Sequence, residues 1–209
     1  MRLRWGICGA GQISNDFCHA LKTLPQEDHE ITSIAARSAE RARKYAETFQ
    51  IRKVFTKYVD LASDSEIDIV YIGTWHITHV QLIKLMLHSG KHVLCEAPIA
   101  FTTEEVKEVF ELAKQKNLFL MEAIWSRTFE IYSEIKKAIE RGDIGEVKMV
   151  TANFGLSYLD HLRTVEEGGG VLLELGVCVI QFINWVFNNE KPECIKAIAS
   201  IGEKGRVVR

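Results

Sequence analysis

The 209-residue chain is 47% hydrophobic and 26% charged and carries a formal net charge of −2. That size allows one large domain, or one domain and part of a second. The balance leaves no basic footprint for nucleic acid, and no apolar run reaches the ~18 residues of a bilayer span, so neither nucleic acid nor a membrane is an expected partner.

Leu3–Cys8 reads as a first strand, and Ile13–Leu21 as a helix with Phe17, Ala20 and Leu21 on one face. Glu30–Ala36 is a second strand and Ala39–Phe49 a second helix, followed by a short strand at Val54 and Phe55. Ile67–Gly73 is a continuous apolar run, as in a strand buried on both faces. Thr78–His88 is an apolar helix, His92–Cys95 a strand, and Thr103–Lys114 a helix opened by a capping box in Thr102-Thr103-Glu104-Glu105. Leu118–Met121 completes the series. Strands alternating with helices of about ten residues predict βαβ units and a parallel sheet over residues 1–123.

The pattern then changes. A helix over Phe129–Arg141 ends at Gly142, and Val147–Phe154 alternates like a strand of an antiparallel sheet. Gly168-Gly169-Gly170 precedes an apolar helix, Val171–Phe187, and Cys194–Ile201 reads as another strand before a polar tail. The predicted fold class is α/β. It combines an N-terminal Rossmann parallel sheet with an incomplete C-terminal α+β domain, 124–209, whose sheet is mostly antiparallel. The five cysteines, Cys8, Cys18, Cys95, Cys178 and Cys194, form no CxxC pair, and the N-terminus lacks a signal-peptide core. Reduced thiols and a cytoplasmic location are the expectation.

Gly9-Ala10-Gly11-Gln12-Ile13-Ser14 follows the first strand and opens the first helix. A first glycine permits the tight turn, and a second lets backbone approach a pyrophosphate seated on the helix N-terminus. Gln12 and Ile13 then join Gly9 and Gly11 as candidate phosphate contacts. Ser14 replaces the usual third Gly or Ala, which predicts looser helix–strand packing. At the end of the second strand, where NAD-binding proteins place an acid on the ribose 2′-hydroxyl, stand Arg37, Ser38 and Arg41. A guanidinium can pair with a 2′-phosphate and stack on adenine, which favours NADP(H). The bland alternative has Ser38 as a helix cap and both arginines solvated. Thr74, His76 and His79 follow the fourth strand and are candidates to line a nicotinamide pocket. His76-x-x-His79 lacks a matching carboxylate or thiol cluster, so no metal is expected.

Six blocks occur in order: Leu3-Arg4-Trp5-Gly6-Ile7, Ala35-Ala36-Arg37, Tyr71-Ile72-Gly73-Thr74, Val93-Leu94-Cys95-Glu96, Leu118-Phe119-Leu120-Met121-Glu122-Ala123-Ile124-Trp125 and Gly169-Gly170-Val171-Leu172-Leu173-Glu174-Leu175-Gly176. Together they resemble the Gfo/Idh/MocA oxidoreductases over nearly the whole chain. The resemblance implies hydride transfer between NADP and a small cyclic diol or sugar. It also implies a C-terminal sheet that covers the nicotinamide and, if complete, makes a homodimer. It assigns Tyr71, His79, Glu96 and Gln181 to cofactor binding and Trp125 and Phe154 to the substrate pocket. The latter two residues taken alone read more readily as core.

The chain departs from that pattern. The family's Glu-Lys-Pro is Glu96-Ala97-Pro98, so the central lysine is an alanine. The acidic residue of the glycine-rich block is Glu174, and a tyrosine of this branch falls on Cys178. Alcohol oxidation needs a group to remove the hydroxyl proton, which alanine cannot do. Family members also run at least half as long again. Three readings follow: an oxidoreductase in which His79, Glu174 or Cys178 replaces the lysine, an NADP(H)-binding pseudoenzyme, or a truncated fragment without function.

Overall fold

A computed structural model of the chain describes residues 2–155 and 170–200. The chain divides into two compact units, Met1–Ala123 and Ile124–Arg209.

In the first unit, strands β1 (Leu3–Cys8), β2 (His29–Ala35), β3 (Lys53–Phe55), β4 (Ile69–Ile72), β5 (His92–Glu96) and β6 (Leu120–Ala123) form one sheet. Its order is β3-β2-β1-β4-β5-β6, and every pairing is parallel. The connections carry α1 (Gln12–Lys22), α2 (Ala39–Phe49), α3 (Tyr58–Ser63), α4 (His79–His88) and α5 (Thr103–Lys116).

The strands are apolar on both faces because both faces are covered. Trp5, Ile7, Ile69 and Tyr71 pack with Cys18 and Leu21 of α1 and Tyr45 and Phe49 of α2. Cys8, Val70, Ile72, Val93 and Cys95 pack with Leu61 of α3, Ile83 and Met86 of α4 and Val109 of α5. The Thr102–Glu105 capping box forms as predicted, each residue bonding the other's backbone N–H. Helix α3 has no counterpart in the predicted elements. At six residues it is too short for its apolar period to show.

The second unit contains a 3-10 turn at Trp125–Thr128, α6 (Glu130–Glu140), a π-helical turn at Leu172–Gly176 and α7 (Val177–Val186). The single helix predicted over Val171–Phe187 is thus two segments, with Phe187 beyond the end of α7. The predicted strands are corrected here: neither Val147–Phe154 nor the described part of Cys194–Ile201 is a strand. Alternating side chains make a strand only where a neighbour completes the ladder, and among the described residues neither segment has one. The sheet of the described residues is therefore wholly parallel. Ile201, the polar tail and the first two glycines of Gly168-Gly169-Gly170 lie outside the described residues.

Candidate nucleotide-binding site

The chain leaves β1 on one side of the sheet to form β2 and β3, and on the other to form β4, β5 and β6. Loops after β1 and β4 therefore diverge at the carboxyl edge and leave a crevice between them, the usual ligand position in open α/β sheets. A cavity of about 580 Å³ opens there, lined by Gly9–Gly11, Ala36–Ser38, Arg41, Tyr58, Gly73–Trp75, Ile77 and Thr78.

Gly9 has φ +104°, and a Cβ there would sit 2.9 Å from the Gly73 carbonyl oxygen. Only glycine fits both constraints. Gly11 caps α1 without a side-chain hydrogen bond, and no acidic residue occupies the helix's first turn. The N-terminal N–H groups and the positive end of the helix dipole are thus left for an anion. The looser packing expected at Ser14 is not found. Ser14 is fully buried, and its hydroxyl donates to the Gly73 carbonyl at 3.4 Å. The space comes from Gly73, where a Cβ would lie 2.3 Å from Ser14 Oγ and 2.8 Å from Tyr71 Cε1. The glycine that α1 lacks is supplied by the end of β4.

On the far side, Ser38 caps α2 and accepts from the Arg41 backbone N–H at 3.3 Å. Arg37 and Arg41 are exposed, and neither forms an ion pair with an acid among the described residues. Arg37 lies over the Trp75 ring, its Cζ 5.9 Å from the centroid. Capping by Ser38 and two uncompensated cations on one cavity wall coexist.

Several residues expected as cofactor contacts are not among those lining the cavity. Tyr71 is buried beneath the crevice, stacked on Phe17 at 3.8 Å, and donates to Glu96 Oε1 at 2.6 Å. Burial and the Glu96 charge hold its phenol well above the ordinary tyrosine value. Burial also raises the Glu96 carboxyl; Tyr71 and the Ala97 backbone pull it down, and Glu122 pushes it up. Glu122, itself raised by burial, accepts from the Ile99 N–H at 2.9 Å. Gln12 points along its helix to Asp16 at 2.8 Å, Ile13 is 40% exposed, and buried His76 packs edge-on against Phe101.

His79, expected as a cofactor contact or a stand-in for the lysine, lies between two backbone carbonyls. It is buried, with Nδ1 2.9 Å from the Pro98 carbonyl oxygen and Nε2 3.1 Å from that of Thr74. Burial lowers its pKa while the two carbonyls raise it. Both ring nitrogens lie within hydrogen-bonding distance of carbonyl oxygens, which can only accept. The ring ties the loop after β4 to the loop after β5.

In the second unit, the buried Gln181 amide accepts from Arg127 Nε at 2.8 Å and donates to Tyr132 Oη and the Cys178 carbonyl at 3.0 Å each. Its amide is engaged in holding α7 to α6 and the preceding turn. Glu174 lies in the π-helical turn, and its buried Oε1 has no hydrogen-bond partner among the described residues. Cys178 is half-buried on α7. Trp125 and Phe154 are 63% and 47% exposed, so they are not core residues. No cluster of three or more His, Cys, Asp or Glu side chains suited to a metal ion occurs among the described residues.

Tyr58 and Trp75 line the cavity without having been assigned a role from sequence. Tyr58 begins the unpredicted α3. Trp75 is the third residue after β4, and that position relative to a carboxyl edge was the one available signal.

Residues 3–124 match the family model described as "Oxidoreductase family, NAD-binding Rossmann fold". Residues 132–208 match the GFO/IDH/MocA C-terminal domain. The chain is 43% identical over 207 residues to a trans-1,2-dihydrobenzene-1,2-diol dehydrogenase of Xenopus tropicalis, covering 98% of this chain and 63% of the relative. It is 44% identical over 199 residues to that of Danio rerio, covering 94% and 60%. The chain thus spans about three-fifths of the length of these curated relatives. A lysine-to-alanine variant of a 3-ketoreductase from Actinomadura kijaniata, solved with TDP-benzene and NADP, superposes with a TM-score of 0.79 at 29% identity, over 88% of this chain and 56% of that one. An apo scyllo-inositol dehydrogenase from Lactobacillus casei, at TM-score 0.75 and 22% identity over 88% of this chain and 54% of that one, shares the fold. Among the described residues no helix is long and apolar enough to cross a membrane. On both domain matches, the chain belongs to the Gfo/Idh/MocA oxidoreductase family.

Proposed function

We propose that the first unit binds NADP(H) in preference to NAD(H). The protein is then an NADP-dependent oxidoreductase of the dihydrodiol or D-xylose dehydrogenase type, with a cyclic diol or sugar hydroxyl as substrate. The observation that carries the cofactor reading is the pair Arg37 and Arg41, two uncompensated cations on a wall where a 2′-hydroxyl reader would be acidic. The Gly9–Gly11 turn and the uncapped start of α1 suit a pyrophosphate. The curated relatives named above and the NADP-bound ketoreductase support the reaction class.

When bound, NADP⁺ supplies the hydride acceptor. The chain's own residues must hold the nucleotide, place the hydroxyl and remove its proton. Ala97 has no group for the last task, and His79 is engaged by carbonyls. Loss of a positioned acid–base typically costs about 10²–10⁴-fold in rate. The chain therefore binds cofactor well and turns substrate over slowly. Ala97 favours a second reading, an NADP(H)-binding protein without turnover.

Titration with NADPH and NADH, followed by nicotinamide fluorescence, tests the cofactor reading. Arg37→Ala should weaken NADPH by about tenfold and leave NADH nearly unchanged, as expected for one lost charged hydrogen bond. Equal affinity of the unmodified chain for both nucleotides would refute it. Adding diols and sugars to the NADP⁺ complex, with and without Ala97→Lys, separates slow turnover from none.

A further inference from the structure

We propose that Trp75 is a positioning residue for cofactor choice: its indole face holds the Arg37 guanidinium over the cavity, so that a 2′-phosphate meets a pre-placed cation. This rests on the reading that the cavity takes an NADP-type nucleotide, and adds the device by which one chain segment sets the preference of another.

Arg37 comes from the carboxyl end of β2 and Trp75 from that of β4, on opposite sides of β1, and both line the cavity. The 5.9 Å from Arg37 Cζ to the ring centroid is within reach of a cation–π contact. A long, exposed arginine would otherwise populate many rotamers, and ordering them would oppose binding. A carboxylate could order it too, but would neutralise the charge and compete with the incoming phosphate. A ring face restrains the cation and leaves its N–H donors and its charge available.

The platform is itself held. The Thr78 backbone N–H and hydroxyl both donate to the Trp75 carbonyl, at 2.8 and 2.7 Å. The Thr74 and Thr78 hydroxyls lie 2.8 Å apart. Next to Arg37, the Ser38 cap fixes the start of α2. Trp75 remains 40% exposed, so replacing it removes no core residue.

The test uses calorimetry on the full chain with adenosine 2′,5′-bisphosphate and 5′-AMP, two probes that differ by the 2′-phosphate and need no nicotinamide site. Trp75→Leu should reduce the preference for the bisphosphate by about threefold, the scale of an exposed cation–π contact. Trp75→Phe, which keeps a ring face, should restore most of it. In an Arg37→Ala background, Trp75→Leu should leave the preference unchanged. If Trp75→Leu weakens both probes equally, or neither, while the unmodified chain still prefers the bisphosphate, the positioning role is overturned and the nucleotide reading stands. An unmodified chain with no preference removes both.

Discussion

At the scale of single residues, the site depends on where a side chain is absent. Gly9 is forced by its positive φ, and a tight turn there was legible because Gly9 and Gly11 follow a strand and open a helix, although that spacing also suits a purely structural turn. Gly73 was not legible. Its reason lies chiefly in Ser14, which approaches it from α1, 59 positions away in sequence, and in the ring of the neighbouring Tyr71. Gly73→Ala should cost about 1–3 kcal/mol, as overpacking does. Adding Ser14→Ala should recover part of the loss, because the Oγ that meets the new methyl is gone while the Tyr71 contact remains. Thermal melting of the single and double variants checks this; a Gly73→Ala protein that melts like the parent would contradict it. The histidine and tyrosine assigned by resemblance show the opposite limit. Residue identity placed His79 and Tyr71 near the crevice, but only the fold showed carbonyls on both imidazole nitrogens and Glu96 on the phenol.

At the scale of elements, strand pairing is reinforced where charges bridge it. The Arg4 guanidinium binds both Asp68 oxygens, at 2.6 and 2.9 Å, and the Arg4 backbone N–H donates to Oδ2 at 2.9 Å. These bonds join β1 to the residue before β4. Hydrogen bonding to Arg4 holds the Asp68 carboxyl below the usual carboxylate range, against an opposing effect of burial. A depressed folded pKa contributes stability that is complete above the unfolded value of about 3.9 and is lost as pH falls through the folded one. Asp68→Asn should therefore lower the melting temperature at neutral pH and differ little from the parent in strong acid. An equal deficit at both pH values would assign the loss to packing instead. Elements with their own core-facing run, such as β1, α2 and α5, were readable because their partners lie within the same βαβ units. The strands expected at Val147–Phe154 and Cys194–Ile201 were not, because alternation specifies a face and not a neighbour.

At the scale of the molecule, every residue lining the cavity belongs to the first unit, which has a core on each face of its sheet. A fragment ending at Ala123 should therefore melt cooperatively and bind adenosine 2′,5′-bisphosphate with the affinity of the full chain. A folded fragment that fails to bind, beside a full chain that binds, would show that the second unit is required to hold the nucleotide. The sequence by itself determined the parallel sheet, the glycine turn, the cationic end of β2 and the family, because each is written in local periodicity or in contiguous motifs. The tertiary structure alone decided that Trp75 meets Arg37, that Gly73 makes room for Ser14, and that His79 and Gln181 hold the scaffold together. Those outcomes depend on contacts between segments distant in the chain: the sheet order brings the first three to one edge, and helix packing within the second unit brings Gln181 to Arg127 and Tyr132.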